Sequence, residues 1–488
     1  MGEDRMESLP GKMWLYSHRG QLNEEWEKSG IPVTDELWAV QPNDCVMPIT
    51  NPMGKAISQT PGDRGRSLRQ GQQSPWIMNE AASRIGCLSS AELERRLRRE
   101  GLPARIETAD RNGTPITVSV WGLDAIEMRR LFPVTQKFNG IKYSAGLSEN
   151  ANYAQGHAIW KPAERLSVRA LYLLGLDFGQ VELSLSEKGR LTVKGISTEM
   201  KVTGEAGKLR LAEVLSSFAA SWSNETASGA QAKLGADPEF ILISPEGRIV
   251  PASRYFSPEG AAGCDSIRIR GEKRWPLVEL RPRPSKDPAL LISDVHRLLQ
   301  VAAEKTAGVA LSWLAGALPV PGLPLGGHVH LSGVALTGER LRALDNAVAL
   351  PLRLLEPPLA ASRRPRYGAL GDVRRQPHGG FEYRTPPSWL VSPRLALGAF
   401  ALAKVAAEHS RELAVTRPLD DDRCRDAFYG GDRTLLLKAA HSIYEAISRT
   451  SGYASYKEPI DFLFQAIARE RSWDETADIR LKWRIPIG

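Results

Sequence analysis

Residues 379–393 read GGFEYRTPPSWLVSP. The segment is short, opens on a glycine pair, closes on prolines, and carries Glu382 and Arg384 two positions apart. In an extended strand, residues i and i+2 point to one face. The pattern therefore predicts a strand that presents a carboxylate and a guanidinium on one side and packs Tyr383 on the other. Three earlier segments have the same design. GADPEF (235–240) carries Asp237 and Glu239, VELRPRPS (278–285) carries Glu279 and Arg281, and GGHVHLSG (326–333) carries His328 and His330. The residues between, Pro238, Leu280 and Val329, suit a packed side. Helices are predicted over 288–308, 337–356 and 393–413. Strands separated by turns, with helices segregated between them, point to an α+β domain with a mainly antiparallel sheet.

Upstream the texture differs. The polar stretch 55–75 reads as a loop and is followed by a helix predicted over 80–99, with Gly101 and Pro103 just beyond. TPITVSVWG (114–122) and FNGIKYSAG (138–146) read as strands. A helix over 162–176 leads into FGQVELSLS (178–186) and LTVKGIS (191–197), a predicted hairpin. SWSNETASGAQAK (221–233) is small and polar, and is expected to be a linker. The boundary is placed near residue 228, giving an α/β domain over 1–228 and the α+β domain over 229–488. A length of 488 residues fits more than one domain at about 150 residues each.

Composition narrows the class. With 42% hydrophobic and 25% charged residues, the chain is neither disordered nor fibrous. Its four cysteines lie far apart with no CxxC pair, which excludes a disulfide scaffold and a zinc ribbon. The N-terminal residues lack the apolar core of a signal peptide, and the apolar stretch from Val309 is broken by three prolines. A cytoplasmic protein that does not span a membrane is expected. The net charge is +8, and arginine outnumbers lysine more than two to one, with no run of five basic residues. Arginine suits bidentate grip on phosphate and carboxylate, whereas nucleic-acid binders show a basic stripe.

Carboxylates gathered with histidines suit hard divalent cations such as magnesium or manganese, which in turn bridge nucleotide phosphates. No GxxxxGK[ST] loop is present to hold phosphate by itself. The loop RRPRYGALGDVRRQPHGGFEYR (363–384) sets Arg363, Arg364, Arg366, Arg374 and Arg375 among four glycines before Glu382. Such a loop reads as a phosphate or substrate clamp, with a solvated, RNA-touching loop as the alternative. Arg364, Arg366, Arg374, Arg375 and Arg384 are the candidates for cofactor phosphates. Cys264 has no sequence-near histidine and reads as a packed thiol rather than a nucleophile.

The ordered set GADPEF, VELRPRPS, GGHVHLSG, RYGALGD (366–372) and GGFEYRTPPSWLVSP resembles the phage-type carboxylate–amine ligases, or amidoligases, relatives of glutamate–cysteine ligase and glutamine synthetase. Gly263, Cys264 and Asp265 match a short Gly-Cys-Asp segment of the same family pattern. The resemblance implies a glutamine-synthetase-like antiparallel sheet that binds ATP and Mg²⁺ or Mn²⁺. It implies Asp237, Glu239, Glu279 and Glu382 as metal ligands, completed by one of His328 and His330. Arg384 would contact the transferred phosphoryl group and Arg281 would place the substrate carboxylate or a phosphate, so that Glu382, Arg281 and Arg384 form the catalytic set. The implied reaction joins a carboxylate to an amine through an acyl phosphate, on an amino-acid or peptide-like substrate.

The first half carries a fainter likeness. SPWIMNEAASRIGCLSSAELERRLRREGLPA (74–104) and RALYLLGLDFGQVELSLSEKGRLTVKGIST (169–198) resemble the opening and the end of ATP-grasp domains. Lys194 and Ile196 stand where those enzymes place an acidic residue and an asparagine, while Glu182 keeps the position of the preceding acidic ligand. The implied unit is an ATP-grasp-like domain that has lost its own catalysis; an unrelated α/β domain is the alternative. Two other functions stay open from sequence: a metal-dependent amide hydrolase and a non-catalytic nucleotide-binding or structural protein. Neither nucleic acid nor membrane is an expected partner.

Overall fold

The helix Glu205–Ser228 runs on through most of the stretch expected to be a linker, and stops only at Gly229, whose φ is +74°. This computed structural model describes residues 10–17, 24–49, 74–106, 113–138, 141–269 and 271–487. Serine, threonine and asparagine are mediocre helix formers, so tertiary anchors decide the conformation here. Trp222 is buried and its Nε1 donates to the Asn43 carbonyl at 2.9 Å. Thr226 Oγ1 donates back to the Trp222 carbonyl at 2.8 Å and accepts the Gly11 amide at 2.7 Å. The chain divides into two compact units just after this helix, Met1–Gly229 and Ala230–Gly488.

In the first unit, β1 (Met13–Tyr16), β2 (Val33–Thr34), β3 (Cys45–Pro48) and β4 (Trp76–Ile77) form a parallel sheet in the order β2-β1-β3-β4. Met13, Leu15, Cys45, Met47 and Trp76 from these strands share one core with Leu211, Leu215 and Trp222 of the long helix. A second, antiparallel sheet runs β7-β6-β5-β8-β9, from β5 (Thr114–Trp121), β6 (Asp124–Phe138), β7 (Ile141–Asn152), β8 (Phe178–Leu185) and β9 (Leu191–Ser197). The strand expected at 138–146 is thus the end of β6 and the start of β7. The helix expected at 80–99 is two, Ala82–Gly86 and Ser90–Arg99, because Ser89 Oγ caps the second by accepting the Glu92 amide at 3.2 Å. The loop reading of 55–75 lies, but for its last two residues, outside the described residues.

The second unit builds two antiparallel sheets. β10 (Lys233–Ala236), β16 (Val329–Ser332), β18 (Phe381–Tyr383) and β17 (Val373–Arg375) pair in that order. β12 (Ile249–Val250), β11 (Glu239–Ile243), β14 (Glu272–Leu280) and β13 (Ala262–Ile269) form the other, with β15 (Ser312–Leu314) beside β11. One sheet passes into the other at Asp237–Pro238. Proline has no amide hydrogen to continue a ladder, and the chain leaves β10, paired to β16, for β11, paired to β14. Asp237 and Glu239 therefore do not share one strand, as the two-residue spacing had implied; they flank a crossover.

The helices Pro288–Lys305 and Pro393–Glu408 begin near the expected positions. The stretch 337–356 is helical with a wide π turn at Asp345–Ala349 between Gly338–Leu344 and Leu350–Leu355. Asp345 in that turn accepts the Tyr383 hydroxyl at 2.7 Å and the Gly371 amide at 3.1 Å, which ties the Gly-rich loop to β18. Trp389 is fully buried, edge-on to Phe400 at 4.8 Å, and pins the end of β18 to the helix Pro393–Glu408. Among the described residues no helix is long and apolar enough to cross a membrane.

Candidate active site

Strand register gathers the polar residues into two rows. In one sheet Gly235, His330, Glu382 and Arg374 are successive cross-strand partners on β10, β16, β18 and β17. In the other, Glu239, Glu279 and Gly263 are partners on β11, β14 and β13. Direct partners share a face about 5 Å apart. The intervening Pro238, Leu280, Val329 and Tyr383 are buried on the opposite side. Gly263 has no side chain for a reason: a Cβ there would stand 2.6 Å from Arg281 Nη1.

Two groups of three ligand atoms result, each within 4.8 Å of one another: Asp237, His330 and Glu382, and Glu239, Asp265 and Glu279. All of these residues but Glu382 line one cleft of about 1360 Å³, whose wall also includes His328, Arg281, Arg366, Arg374 and Arg384. Glu382 lies fully buried behind that wall. The volume exceeds the roughly 300–1,000 Å³ of a pocket for one small molecule.

The electrostatics are those of a crowded acidic centre. Burial pushes Glu239 up to about 8, and the charges of Asp237 and Glu279 add to it against the Gly326 amide, which donates to Oε2 at 2.7 Å. Burial likewise raises Glu279 to about 7, opposed by Arg281, whose Nη2 is 2.5 Å from Oε1. Asp237 is just as buried, but the two histidines hold it well below the usual carboxylate range. Burial works against a charged His328, yet Asp237 and Glu382 lift it to about 10. Glu382 is lowered in spite of burial by His328 and Arg384.

Donor geometry favours a cation. His328 Nδ1 is 3.0 Å from Asp237 Oδ1 and 3.1 Å from Glu382 Oε1, and His330 Nε2 is 3.3 Å from Asp237 Oδ2. Yet Asp237 Oδ1, His328 Nδ1 and His330 Nε2 are buried and aligned with no hydrogen-bond partner. Heteroatoms that converge without hydrogen-bond alignment, in a set of carboxylates and imidazole, fit a divalent ion. Glu239 and Glu279, directly opposed carboxyl groups kept from ionising together, fit one as well.

The arginines divide by partner. Arg384 Nη1 lies 2.6 Å and Arg374 Nη2 2.5 Å from the two oxygens of Glu382, and Gln376 Nε2 donates to Oε2 at 2.9 Å. Arg366 is exposed at the cleft, its guanidinium 5.4 Å from the Tyr367 ring centre. Arg375 is exposed opposite Phe381 and is not part of the cleft wall. Arg364 is not part of it either. Its guanidinium forms a buried fork with Glu356, at 2.7 and 2.6 Å, over the Phe428 ring. Arg363, one residue earlier at the end of the 3₁₀ turn Pro358–Arg363, faces the cleft in its place. Two residues escaped the sequence reading. Asp265 was signalled only by the Gly-Cys-Asp segment, two positions after Gly263 on the same strand face; nothing in the loop singled out Arg363. Cys264 packs as expected, its thiol donating to the Phe256 carbonyl at 3.2 Å.

The model of the phage phiEco32-like COOH.NH2 ligase-type 2 family matches residues 234–485, just over half of the chain and all of this cleft. The chain belongs to that family. It is an enzyme of carboxylate–amine ligation, and the hydrolase and non-catalytic alternatives fall away. No curated protein matches the ligase. Among solved structures, it is similar to the ATP-grasp ligase PsnB complexed with minimal precursor, at 12% identity and a TM-score of 0.28, over 43% of this chain and 100% of that one. It is similar to D-alanine–D-alanine ligase from Bacillus anthracis at 12% and 0.28, over 45% and 97%. The ligand-free GmaS structure gives 15% and 0.27, over 50% and 70%. Likenesses this slight do not settle a fold or an activity. In the ligase's first unit, β8 and β9 form the expected hairpin with Glu182 exposed and opposite Gly195, and Lys194 at an irregularity in the pairing.

Proposed function

We propose that the ligase activates a substrate carboxylate with ATP in the second unit and passes the acyl group to an amine. The observation that carries this reading is the pair of three-ligand groups facing one cleft. Asp237, His330 and Glu382 would hold one Mg²⁺ or Mn²⁺, and Glu239, Asp265 and Glu279 another. Bound there, the cations would neutralise the phosphate oxygens and polarise the γ-phosphoryl group toward attack.

The chain's own residues supply the rest. Arg384 and Arg374 pair with Glu382 and stand at the cleft wall, where they would be available to phosphoryl oxygens. Arg281, paired with Glu279, does the same for the second group and for a substrate carboxylate. Arg366 guards the rim. His328, 3.0 Å from Asp237 and 3.1 Å from Glu382, orients both carboxylates. Preorganised charge of this kind, rather than covalent chemistry by the protein, lowers the barrier of phosphoryl transfer. The carboxylate attacks the γ-phosphorus, ADP leaves, the amine displaces phosphate from the acyl phosphate, and the amine proton passes to solvent. Amino-acid or peptide-like carboxylates and amines are the substrate class. Residues 1–228 would be an ATP-grasp-like domain without catalysis of its own, since Lys194 repels a cation where a carboxylate would bind it.

The test is ADP release that requires ATP, Mg²⁺ and a carboxylate–amine pair drawn from an amino-acid and dipeptide library. Glu239→Gln should lower the rate by about 10²-fold or more, as loss of one electrostatic stabiliser does. An unchanged rate in that variant contradicts the site.

A further inference from the structure

Arg363 differs from every other arginine of the cleft wall named above. It is only 5% exposed, yet it lines the cleft. Arg281, Arg374 and Arg384 each pair with a cleft carboxylate, and Arg364 beside it pairs with Glu356. Arg363 forms no ion pair among the described residues, and its Nε and Nη1 are buried with no hydrogen-bond partner. A buried cation without a partner is costly, and proteins keep such groups where a ligand completes them.

The surroundings are shaped for this guanidinium. Gly368 has φ +72°, and a Cβ there would stand 3.1 Å from Arg363 Cζ and Nη2. The Tyr367 amide donates to the Arg363 carbonyl at 2.9 Å, so the Gly-rich loop folds back over the residue and fixes it. Burial and the adjacent charge of Arg364 weaken the guanidinium's hold on its proton, to about 10, and Glu356 and Glu239 only partly offset them. The molecule thus holds an only partly compensated, unpaired positive charge on the wall of the cleft proposed for the ligase chemistry.

We infer that Arg363 is the oxyanion receptor of this cleft, a buried guanidinium reserved for a substrate carboxylate or for the terminal phosphoryl group of the nucleotide. The inference deepens the ligase reading and rests on it for the identity of the ligand. Both sources offer the same chemistry, oxygen acceptors matched to guanidinium donors. Arg363 binds and positions; no bond is made or broken at it.

The test compares the full chain with Arg363→Met and Arg363→Lys, by thermal unfolding and calorimetry. The probes are sodium acetate, AMPPNP with Mg²⁺, and ADP with Mg²⁺. Without ligand, Arg363→Met should melt at or above the wild-type temperature, because an unpaired charge has left the interior. A purely structural arginine would not give that result. Loss of its charge-assisted hydrogen bonds should weaken one oxyanion probe by about 10- to 100-fold, with Arg363→Lys between the two. Weakened AMPPNP binding with unchanged ADP binding assigns the terminal phosphoryl group; weakened acetate binding assigns the carboxylate. Either supports the inference. Unchanged AMPPNP binding in the variant, with acetate binding either unchanged or absent from wild type, overturns it, as does a ligand-free Arg363→Met that melts well below both wild type and Arg363→Lys. A wild-type chain that binds acetate but no nucleotide sinks the ATP reading alone and leaves Arg363 to be decided by acetate.

Discussion

Glu239 and Glu279 titrate near 8 and 7 in the cation-free protein, because burial opposes their charge and each has acidic neighbours. An unfolded glutamate titrates near 4.3. Below that value both states are protonated and these residues add nothing to the pH dependence. Above it the unfolded chain ionises while the folded one holds its protons, so stability falls until the folded groups ionise at about 7 to 8. In EDTA, the melting temperature of the second unit should therefore fall between about pH 4.5 and 8. Mg²⁺ should reverse the fall most strongly at the alkaline end, and its affinity should rise with pH as protons are displaced. A flat profile with no Mg²⁺ effect would mean that these carboxylates do not meet a cation. Arg364 belongs to another class of residue. Its fork with Glu356 is fully buried, and breaking such a pair costs about 3–5 kcal/mol. Arg364→Met should lower stability by that order in urea unfolding. Retained stability with lost nucleotide binding would return Arg364 to the role read from sequence.

At the scale of elements, the two-residue rhythm was legible because strand geometry alone dictates it. His330 faces Glu382 in register in one sheet, and Glu279 faces Glu239 in the other. What the spacing could not carry was partnership across strands. Asp265 joins Glu239 and Glu279 only because β13 pairs with β14 in a particular register. The crossover at Pro238 was readable in principle, since proline interrupts a ladder, but GADPEF looks locally like one strand. Arg363 and Arg364 are adjacent and chemically identical, and only the 3₁₀ turn decides which one faces the cleft. In the first unit, local composition misled: residues 221–228 are polar yet helical, because Trp222 is buried in the core formed with Trp76 and Leu215. Trp222→Ala should cost about 3–5 kcal/mol, seen as a lower first unfolding transition. A neutral effect would fit a linker and contradict the helix.

For the whole molecule, part of the +8 charge acquires a location. Seven arginines and five carboxylates line the cleft, so it is formally cationic before any metal arrives. That balance suits a polyanion brought with its own cations, and it explains why a basic chain shows no basic run. The central claim is that two cations and a nucleotide meet in this cleft, one cation on each three-ligand group. Manganese titrated into the full chain with AMPPNP, and counted by electron paramagnetic resonance of the free ion, tests it most directly. The expected result is two tight Mn²⁺ per chain that require the nucleotide, with one lost in Asp265→Asn and the other in Asp237→Asn. Tight manganese that is indifferent to AMPPNP, or a full complement retained in both variants, would contradict it.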